Sequence, residues 1–163
     1  MSNELEKLEA AIAAHSTEEA LQVKTKTNEL IGPALDWAVA KSEGERYGPP
    51  TFRVHQNSKG ATVYLNTGMQ QSGIPYRPSV AWAQGGPIIA REMIDLRKIY
   101  NNGLPNANPY DCWKAEIIFR DGKLVAGDLF AYGPTPLVAA LRCFVASRLG
   151  DEVEVPDELL CTP

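Results

Sequence analysis

Residues 82–92 bring together chemical groups that could bind a nucleotide-like ligand. These groups are the indole of Trp82, the side-chain amide of Gln84, the backbone of Gly85 and Gly86, which no side chain covers, and the guanidinium of Arg91. If Gly86 caps a helix that begins at Pro87, the N–H groups of the first turn point outward and favour an anion. The indole adds a surface for a planar group. The alternative is structural, with Trp82 packed in the core and the glycine pair forming a tight turn.

A second helix start repeats this chemistry nearer the C-terminus. In the sequence GPTP, Thr135 is a suitable helix cap, and Arg142 follows two turns later. A loop rich in Gly, Pro and Gln precedes the first site and contributes Tyr76 and Arg77. The predicted ligand-binding residues are Tyr76, Arg77, Trp82, Gln84, Gly85, Gly86, Arg91, Thr135 and Arg142. For Arg142 the alternative is a side chain that lays its stem on apolar surface and its charge in water.

The sequence carries little that indicates catalysis. The motifs G-x-S-x-G, G-x-G-x-x-G, H-E-x-x-H, C-x-x-C and the phosphate-binding loop are absent. His55 could serve Cys112 or Cys143 as a base, but Cys143 falls in an apolar helical stripe, where thiols are usually inert. Glu92 and Asp95 could share a helix face, yet such carboxylates are usually solvated surface. The sequence leaves catalysis open, favours a non-enzymatic protein and predicts no catalytic residue.

Composition limits the classes of partner. The chain has 163 residues, 44% of them hydrophobic, and a formal net charge of -4. We therefore expect one core and no nucleic-acid partner, because nucleic-acid binding depends on basic side chains. Three widely spaced cysteines and two histidines predict no disulfide framework, no metal site and no cofactor. With no long apolar run and an acidic start, the expected location is the cytosol, away from membranes.

Residues 1–22 are predicted to form a helical extension. Leu5, Leu8 and Ile12 stand at helical spacing and form a narrow apolar stripe that needs a cover. We expect this extension to pack on a partner protein or on a second copy of the chain, giving a homo-oligomer. The remaining residues, 23–163, are expected to form a single domain.

The fold of that domain follows from local patterns. The predicted elements are a strand at 23–27, a helix from Pro33 to Gly44, a hairpin joining 51–55 to 61–65, a strand at 94–98, a hairpin turning at Asp121-Gly122, and a helix from Pro136 to Leu149 between a Thr135 cap and a Gly150 stop. The acidic segment after Gly150 is expected to be solvated. The predicted fold class is α+β, an antiparallel sheet of hairpins covered by two or three helices.

Three segments resemble one family of phage proteins. They are VKTKTNELIGPALDWAVAK (Val23–Lys41), YRPSVAWAQGGPIIARE (Tyr76–Glu92) and GPTPLVAALRCFVASRLGDEVEVPDEL (Gly133–Leu159). In this order they are similar to the hallmark blocks of the NinX family, small proteins of lambdoid and related phages and of prophages. The resemblance implies a phage or prophage origin and an accessory role in the host cytosol. It implies no established reaction, cofactor or catalytic residue, and the extension at 1–22 departs from the family pattern.

The resemblance also suggests how a ligand-binding protein of this kind would act. Small phage accessory proteins commonly bind and block a host component, including nucleotide-derived signals of antiviral systems. By that analogy we expect a non-enzymatic protein that sequesters a small nucleotide-like ligand. One alternative is a protein-interaction module that acts on a host or phage partner in counter-defence, recombination or regulation. A small nucleotide hydrolase is the other.

Overall fold

The structure of the chain is a computed structural model that describes residues 21–47, 51–57, 60–66, 73–100, 112–120, 123–124 and 129–160. Most of the predicted helical extension, residues 1–20, lies outside these ranges. Its last residue, Gln22, begins a strand. The prediction of a helix is therefore wrong for Gln22 and stays a prediction for residues 1–20.

The described chain contains three α-helices and ten strands, and the strands pair antiparallel. The strands are β1 (Gln22–Lys26), β2 (Thr51–Asn57), β3 (Gly60–Asn66), β4 (Ile74–Pro75), β5 (Ile94–Ile99), β6 (Cys112–Ile117), β7 (Phe119–Arg120), β8 (Lys123–Leu124), β9 (Phe130–Gly133) and β10 (Glu152–Pro156). The helices are α1 (Gly32–Tyr47), α2 (Trp82–Arg91) and α3 (Pro136–Leu149). The sheets have the strand orders β1-β10, β2-β3-β4, β5-β6-β9 and β7-β8, and each neighbouring pair is antiparallel. This architecture confirms the predicted α+β class and both predicted hairpins.

Helix α3 lies at the centre of the core. Its buried residues are Leu137, Val138, Ala139, Ala140, Leu141, Cys143, Phe144 and Val145. The start is fixed by Thr135, whose hydroxyl oxygen accepts a hydrogen bond from the Val138 N–H at 3.2 Å. The end is fixed by Gly150, which has a φ of 87° and follows the last turn. Both predicted boundaries are confirmed, because each depends only on residues within one turn of the helix end.

The segment after α3 is a strand. Strand β10 pairs with β1 in the register Val23↔Val155 and Lys24↔Glu154. Val153 and Val155 are buried while Glu152 and Glu154 are exposed, which is the alternation of a half-buried strand. The acidic residues of this segment are therefore exposed as expected, at Asp151, Glu152, Glu154 and Asp157. The two valines between them belong to the hydrophobic core.

Helix α1 continues past its predicted end. Gly44 was expected to stop it, but the helix runs to Tyr47. A glycine inside a helix costs about 1 kcal/mol relative to alanine and does not by itself end the helix. Ser42 and Glu43, which come just before Gly44, are buried in the fold, so their packing stabilises the helix at this point.

Helix α2 differs most from its prediction. It begins at Trp82, so Gly85, Gly86 and Pro87 all lie inside it and the predicted start at Pro87 is wrong. The intrinsic helix propensity of this segment is low, because glycine and proline are the poorest helix formers. Tertiary packing supplies the compensation through the buried Gly85 and Ile88. Trp82 is 55% exposed, so the alternative in which its indole fills the core is also wrong.

The two glycines of α2 differ sharply in their surroundings, which yields a testable pair of variants. A methyl group on Gly85 would lie 2.5 Å from the Pro78 carbonyl oxygen and 2.7 Å from Cδ2 of Leu137 in α3. On Gly86 it would meet only Cε3 of Trp82, at 3.6 Å. We expect Gly85→Ala to lower the free energy of unfolding by about 2 kcal/mol through overpacking. Gly86→Ala should raise it by about 0.5–1 kcal/mol through helix propensity.

Urea denaturation of both variants beside the parent protein measures these two free energies. The two substitutions are chemically identical and adjacent, so each controls for the other. Equal changes of the same sign would contradict the close approach of α2 to α3 at Gly85.

Candidate functional site

An open cleft lies between strand β9 and the β1–β10 pair, over the side of α3. Its volume is about 690 Å³, which falls within the range of small-molecule sites. The lining residues are Lys24, Lys26, Thr27, Asn28, Phe130, Ala131, Arg142, Ala146, Asp151 and Glu152. The site therefore combines cationic, acidic and aromatic side chains from four separate parts of the chain.

Arg142 is the half-buried cation of this cleft. Its Nε donates to the Leu30 carbonyl oxygen at 2.8 Å, and its Nη1 donates to the Tyr132 carbonyl oxygen at 2.8 Å. Burial lowers the pKa of the Arg142 guanidinium, against a smaller opposite effect of Glu29, yet an arginine stays charged in a protein. Within the described ranges, no carboxylate lies within ion-pair distance of it. The guanidinium is thus held in place by neutral carbonyl groups, and Glu29 acts on its positive charge without forming an ion pair.

Thr27 fixes the end of the cleft where β1 meets the turn after α3. Its hydroxyl donates to the Gly150 carbonyl oxygen at 2.7 Å, and its N–H donates to the Asp151 carbonyl oxygen at 2.8 Å. Thr27 is itself buried. These two hydrogen bonds hold the backbone of Asp151 against that of β1, so the acidic and basic walls have a defined relative position.

The charged residues of the cleft fall into a paired and an unpaired group. Lys24 Nζ and Glu152 Oε2 form an exposed ion pair at 2.8 Å, which raises the pKa of Lys24 and lowers the pKa of Glu152. Lys26 and Asp151 form no such pair with any described residue. One lysine and one aspartate therefore remain available to a ligand beside Arg142.

Phe130 supplies an aromatic surface at the same cleft. The side chain is 40% exposed, and its ring centroid lies 5.6 Å from that of Tyr132 in an edge-to-face arrangement. Lys114 Nζ lies 4.8 Å from the ring centroid. An exposed aromatic ring that lines the same cleft as Arg142 and Lys26 can help to bind a molecule that is both planar and anionic.

The predicted turn cluster is brought together, but as a structural element. Gln84 Nε2 donates to the Pro75 carbonyl oxygen at 2.9 Å, and Gln84 Oε1 accepts from the Arg77 N–H at 2.6 Å. Tyr76 packs on Phe52, with ring centroids 5.5 Å apart. The amide of Gln84 thus holds the preceding segment against α2, and both ends of the amide are occupied.

Arg91 also makes contacts within the fold. Its guanidinium forms ion pairs with Glu43 of α1 and with Glu92, and Glu92 pairs in turn with Arg148 of α3 at 3.0 Å. Burial raises the pKa of Glu92, but the two guanidinium groups outweigh it and lower the pKa overall. The expectation that Glu92 is solvated surface is wrong, because its side chain is only 10% exposed.

Among the nine predicted ligand-binding residues, all of which the structure describes, Arg142 lines the cleft. The other eight lie elsewhere, and they are Tyr76, Arg77, Trp82, Gln84, Gly85, Gly86, Arg91 and Thr135. Sequence reasoning missed Lys26, Phe130 and Asp151. Alternation in FAYG (130–133) indicates that Phe130 and Tyr132 share a face, but no local pattern places them next to Lys26.

Two further titratable groups are buried away from the cleft. Asp36 of α1 is 2% exposed and accepts a hydrogen bond from the Ser79 N–H at 2.8 Å. Burial raises the pKa of Asp36 to about 6, against the opposing effects of Ser79 and Arg77. Burial also raises the pKa of the Cys143 thiol to about 12, so at neutral pH this thiol is protonated and a poor nucleophile.

No group of three or more His, Cys, Asp or Glu side chains among the described residues is placed to hold a metal ion. No helix in that part of the chain is long and apolar enough to cross a membrane.

One comparison with known proteins gives a match. The family model described as Bacteriophage P22, NinX matches residues 26–148, which is most of the chain. The matched region includes Lys26, Phe130 and Arg142 of the cleft. No curated protein matches the chain.

Proposed function

The chain belongs to the bacteriophage P22 NinX family, and from this premise we propose that it is a non-enzymatic phage accessory protein that binds a small nucleotide-like anion in the cleft beside Arg142. By holding such a ligand it lowers the free concentration of a nucleotide-derived signal in the host. The site differs from the one that the sequence suggested, and Arg142 is the residue common to both.

The positive charge of Arg142 carries this proposal. The guanidinium forms no ion pair with a described carboxylate, and Glu29 offsets only part of the effect of burial on its pKa. The carbonyl oxygens of Leu30 and Tyr132 orient the guanidinium but do not neutralise it. A half-buried cation gains from the approach of an anion, and a phosphate group that enters the cleft supplies one and accepts charge-assisted hydrogen bonds. Lys26 lines the same cleft and adds a second cation that forms no ion pair with the described residues.

The ring of Phe130 favours a nucleotide-like anion over an anion without a base. Phe130 is exposed at the cleft, and a base stacked on an aromatic side chain contributes about 1–3 kcal/mol to binding. Inorganic phosphate gains nothing from this contact. A molecule with a phosphate and a planar base uses both parts of the site.

Binding without conversion is supported by the state of the cysteine of α3. The Cys143 thiol is buried, and its pKa of about 12 keeps it protonated at neutral pH. The groups that line the cleft are cations, carboxylates and an aromatic ring, a set that recognises a nucleotide by charge, hydrogen bonds and stacking.

Calorimetric titration and thermal unfolding with AMP, cyclic AMP and inorganic phosphate test the proposal. A nucleotide at 100 times its dissociation constant should stabilise the protein by about 2.7 kcal/mol. We expect Lys26→Glu to weaken nucleotide binding about tenfold, since a favourable charge becomes an unfavourable one in the cleft. Arg97→Glu is the matched control, because it makes the same charge change at an exposed position of β5 that does not line the cleft.

The outcomes separate the proposal from its rivals. No stabilisation by any of the three probes, or equal weakening by Lys26→Glu and Arg97→Glu, would overturn it. Mass spectrometry of the bound nucleotide after long incubation tests the absence of conversion. Recovery of the intact nucleotide supports the proposal, and accumulation of a hydrolysis product would replace it with the hydrolase alternative.

A further inference from the structure

The cleft has an acidic wall, and an anion-binding role gives these carboxylates no function. Asp151 and Glu152 line the cleft together with Arg142 and Lys26. A carboxylate repels a phosphate, so a site that binds only the anion gains nothing from having one there. Carboxylates do accept hydrogen bonds from hydroxyl groups, and acidic side chains in dinucleotide sites bind ribose hydroxyls in this way.

Asp151 is the carboxylate available for such a contact. Glu152 is held by Lys24 Nζ at 2.8 Å, whereas Asp151 has no ion pair or side-chain hydrogen bond with the described residues. The main chain of Asp151 is nevertheless fixed, because its carbonyl oxygen accepts the Thr27 N–H at 2.8 Å. The Asp151 side chain therefore extends from an anchored backbone, and no described residue occupies either carboxylate oxygen.

We infer that the cleft is selective for ribonucleotides, with the Asp151 carboxylate accepting hydrogen bonds from the ribose hydroxyls. This inference rests on the proposed function. A ribonucleoside monophosphate has three parts, an anionic phosphate, a vicinal diol and a planar base. The cleft has three matching groups, the cations Arg142 and Lys26, the carboxylate of Asp151 and the ring of Phe130. A deoxyribonucleotide loses one of the two hydroxyls, and inorganic phosphate loses both the diol and the base.

The Asp151 carboxylate attracts the ribose hydroxyls of a nucleotide and repels its phosphate. For AMP, hydrogen bonds from the diol to a charged acceptor outweigh the repulsion between carboxylate and phosphate. For 2′-deoxy-AMP only one hydroxyl remains, so the same repulsion is less compensated. We expect AMP to bind about tenfold more tightly than 2′-deoxy-AMP, the ratio that one charge-assisted hydrogen bond supplies.

Calorimetric titration of the full chain with AMP, 2′-deoxy-AMP and inorganic phosphate measures this ratio. In Asp151→Asn the ratio should fall towards one, because AMP binds more weakly and 2′-deoxy-AMP binds at least as tightly as before. A general loss of folding would instead weaken both ligands together. Asp95→Asn is the matched control, since Asp95 is an exposed aspartate of β5 outside the cleft, and the tenfold ratio should persist in it.

Failure of this inference and failure of the proposed function give different results. If none of the three probes binds, both are overturned. If AMP and 2′-deoxy-AMP bind equally, ribose selectivity is overturned and the anion site remains. If AMP is preferred but Asp151→Asn leaves the ratio unchanged, the assignment to Asp151 is overturned.

Discussion

Replacing Glu92 with glutamine is expected to lower the free energy of unfolding by about 3 kcal/mol, the lower end of the cost of breaking a buried ion pair. The side chain of Glu92 is 10% exposed and bridges Arg91 Nε at 2.9 Å and Arg148 Nη2 at 3.0 Å. Arg148 Nε is buried and already lacks a hydrogen-bond partner among the described residues. Removing this negative charge leaves Arg91 paired with Glu43 and Arg148 without an ion-pair partner among the described residues, with both guanidinium groups about 6 Å from the ring of Phe144.

The pH dependence of this contribution follows from the direction of the shift. The pKa of Glu92 is lowered from 4.5, so its stabilising effect is present above pH 4.5 and is lost as the pH falls through the lower value of the folded state. Urea denaturation at pH 7 measures the loss in Glu92→Gln. The matched control is Glu152→Gln, which breaks the exposed pair with Lys24 and should leave the urea midpoint nearly unchanged. Similar midpoints for the two variants would contradict the central role of Glu92.

Replacing Asp36 with asparagine is expected to raise the free energy of unfolding at pH 8 by up to about 3 kcal/mol. Burial raises the pKa of Asp36 from 3.8 to about 6, and a difference of that size between folded and unfolded states is worth roughly 3 kcal/mol. Because the folded state holds the proton more tightly, this carboxyl destabilises the protein progressively as the pH rises from about 4 to about 6. Asparagine stays neutral over this range, and its carbonyl oxygen can still accept the Ser79 N–H.

Urea denaturation from pH 4 to pH 8 measures the effect of Asp36→Asn. The gain should be small at pH 4, where the parent carboxyl is largely protonated in the folded state, and should reach its full size above pH 6. Asp95→Asn, on the exposed face of β5, is the control and should follow the pH profile of the parent protein. A gain that is independent of pH would show that burial of the Asp36 charge is not its cause.

The elements that the sequence predicted well depend on neighbours within a few residues. The Thr135 cap and the Gly150 stop of α3 are local hydrogen-bond and backbone requirements, and they appear in the structure as predicted. The β2–β3 and β7–β8 hairpins follow from alternation and turn residues in the same way. The family resemblance also needs only the order of residues, and the family match over residues 26–148 confirms it.

The same local reasoning was wrong at α2 because the deciding contact is distant in sequence. Gly85-Gly86-Pro87 reads as a turn from its own propensities. The close approach of Gly85 to Leu137 of α3 makes it a helix interior. The sequence likewise predicts Arg91 as a ligand contact, whereas in the structure its guanidinium pairs with Glu43, 48 residues away. In both cases a tertiary partner satisfies the feature that the sequence had left open.

For the candidate site, the sequence by itself determined the residue types and predicted one residue, Arg142, that lines the cleft. That prediction depends on the place of Arg142 after a capped helix start, which is a local property. Only the tertiary structure decided that β1, β9, α3 and the start of the segment after α3 line one cleft. The physical reason is that the environment of a cation depends on all its neighbours in space, whatever their distance along the chain. For Arg142 these neighbours include the carbonyl groups of Leu30 and Tyr132 and the charge of Glu29.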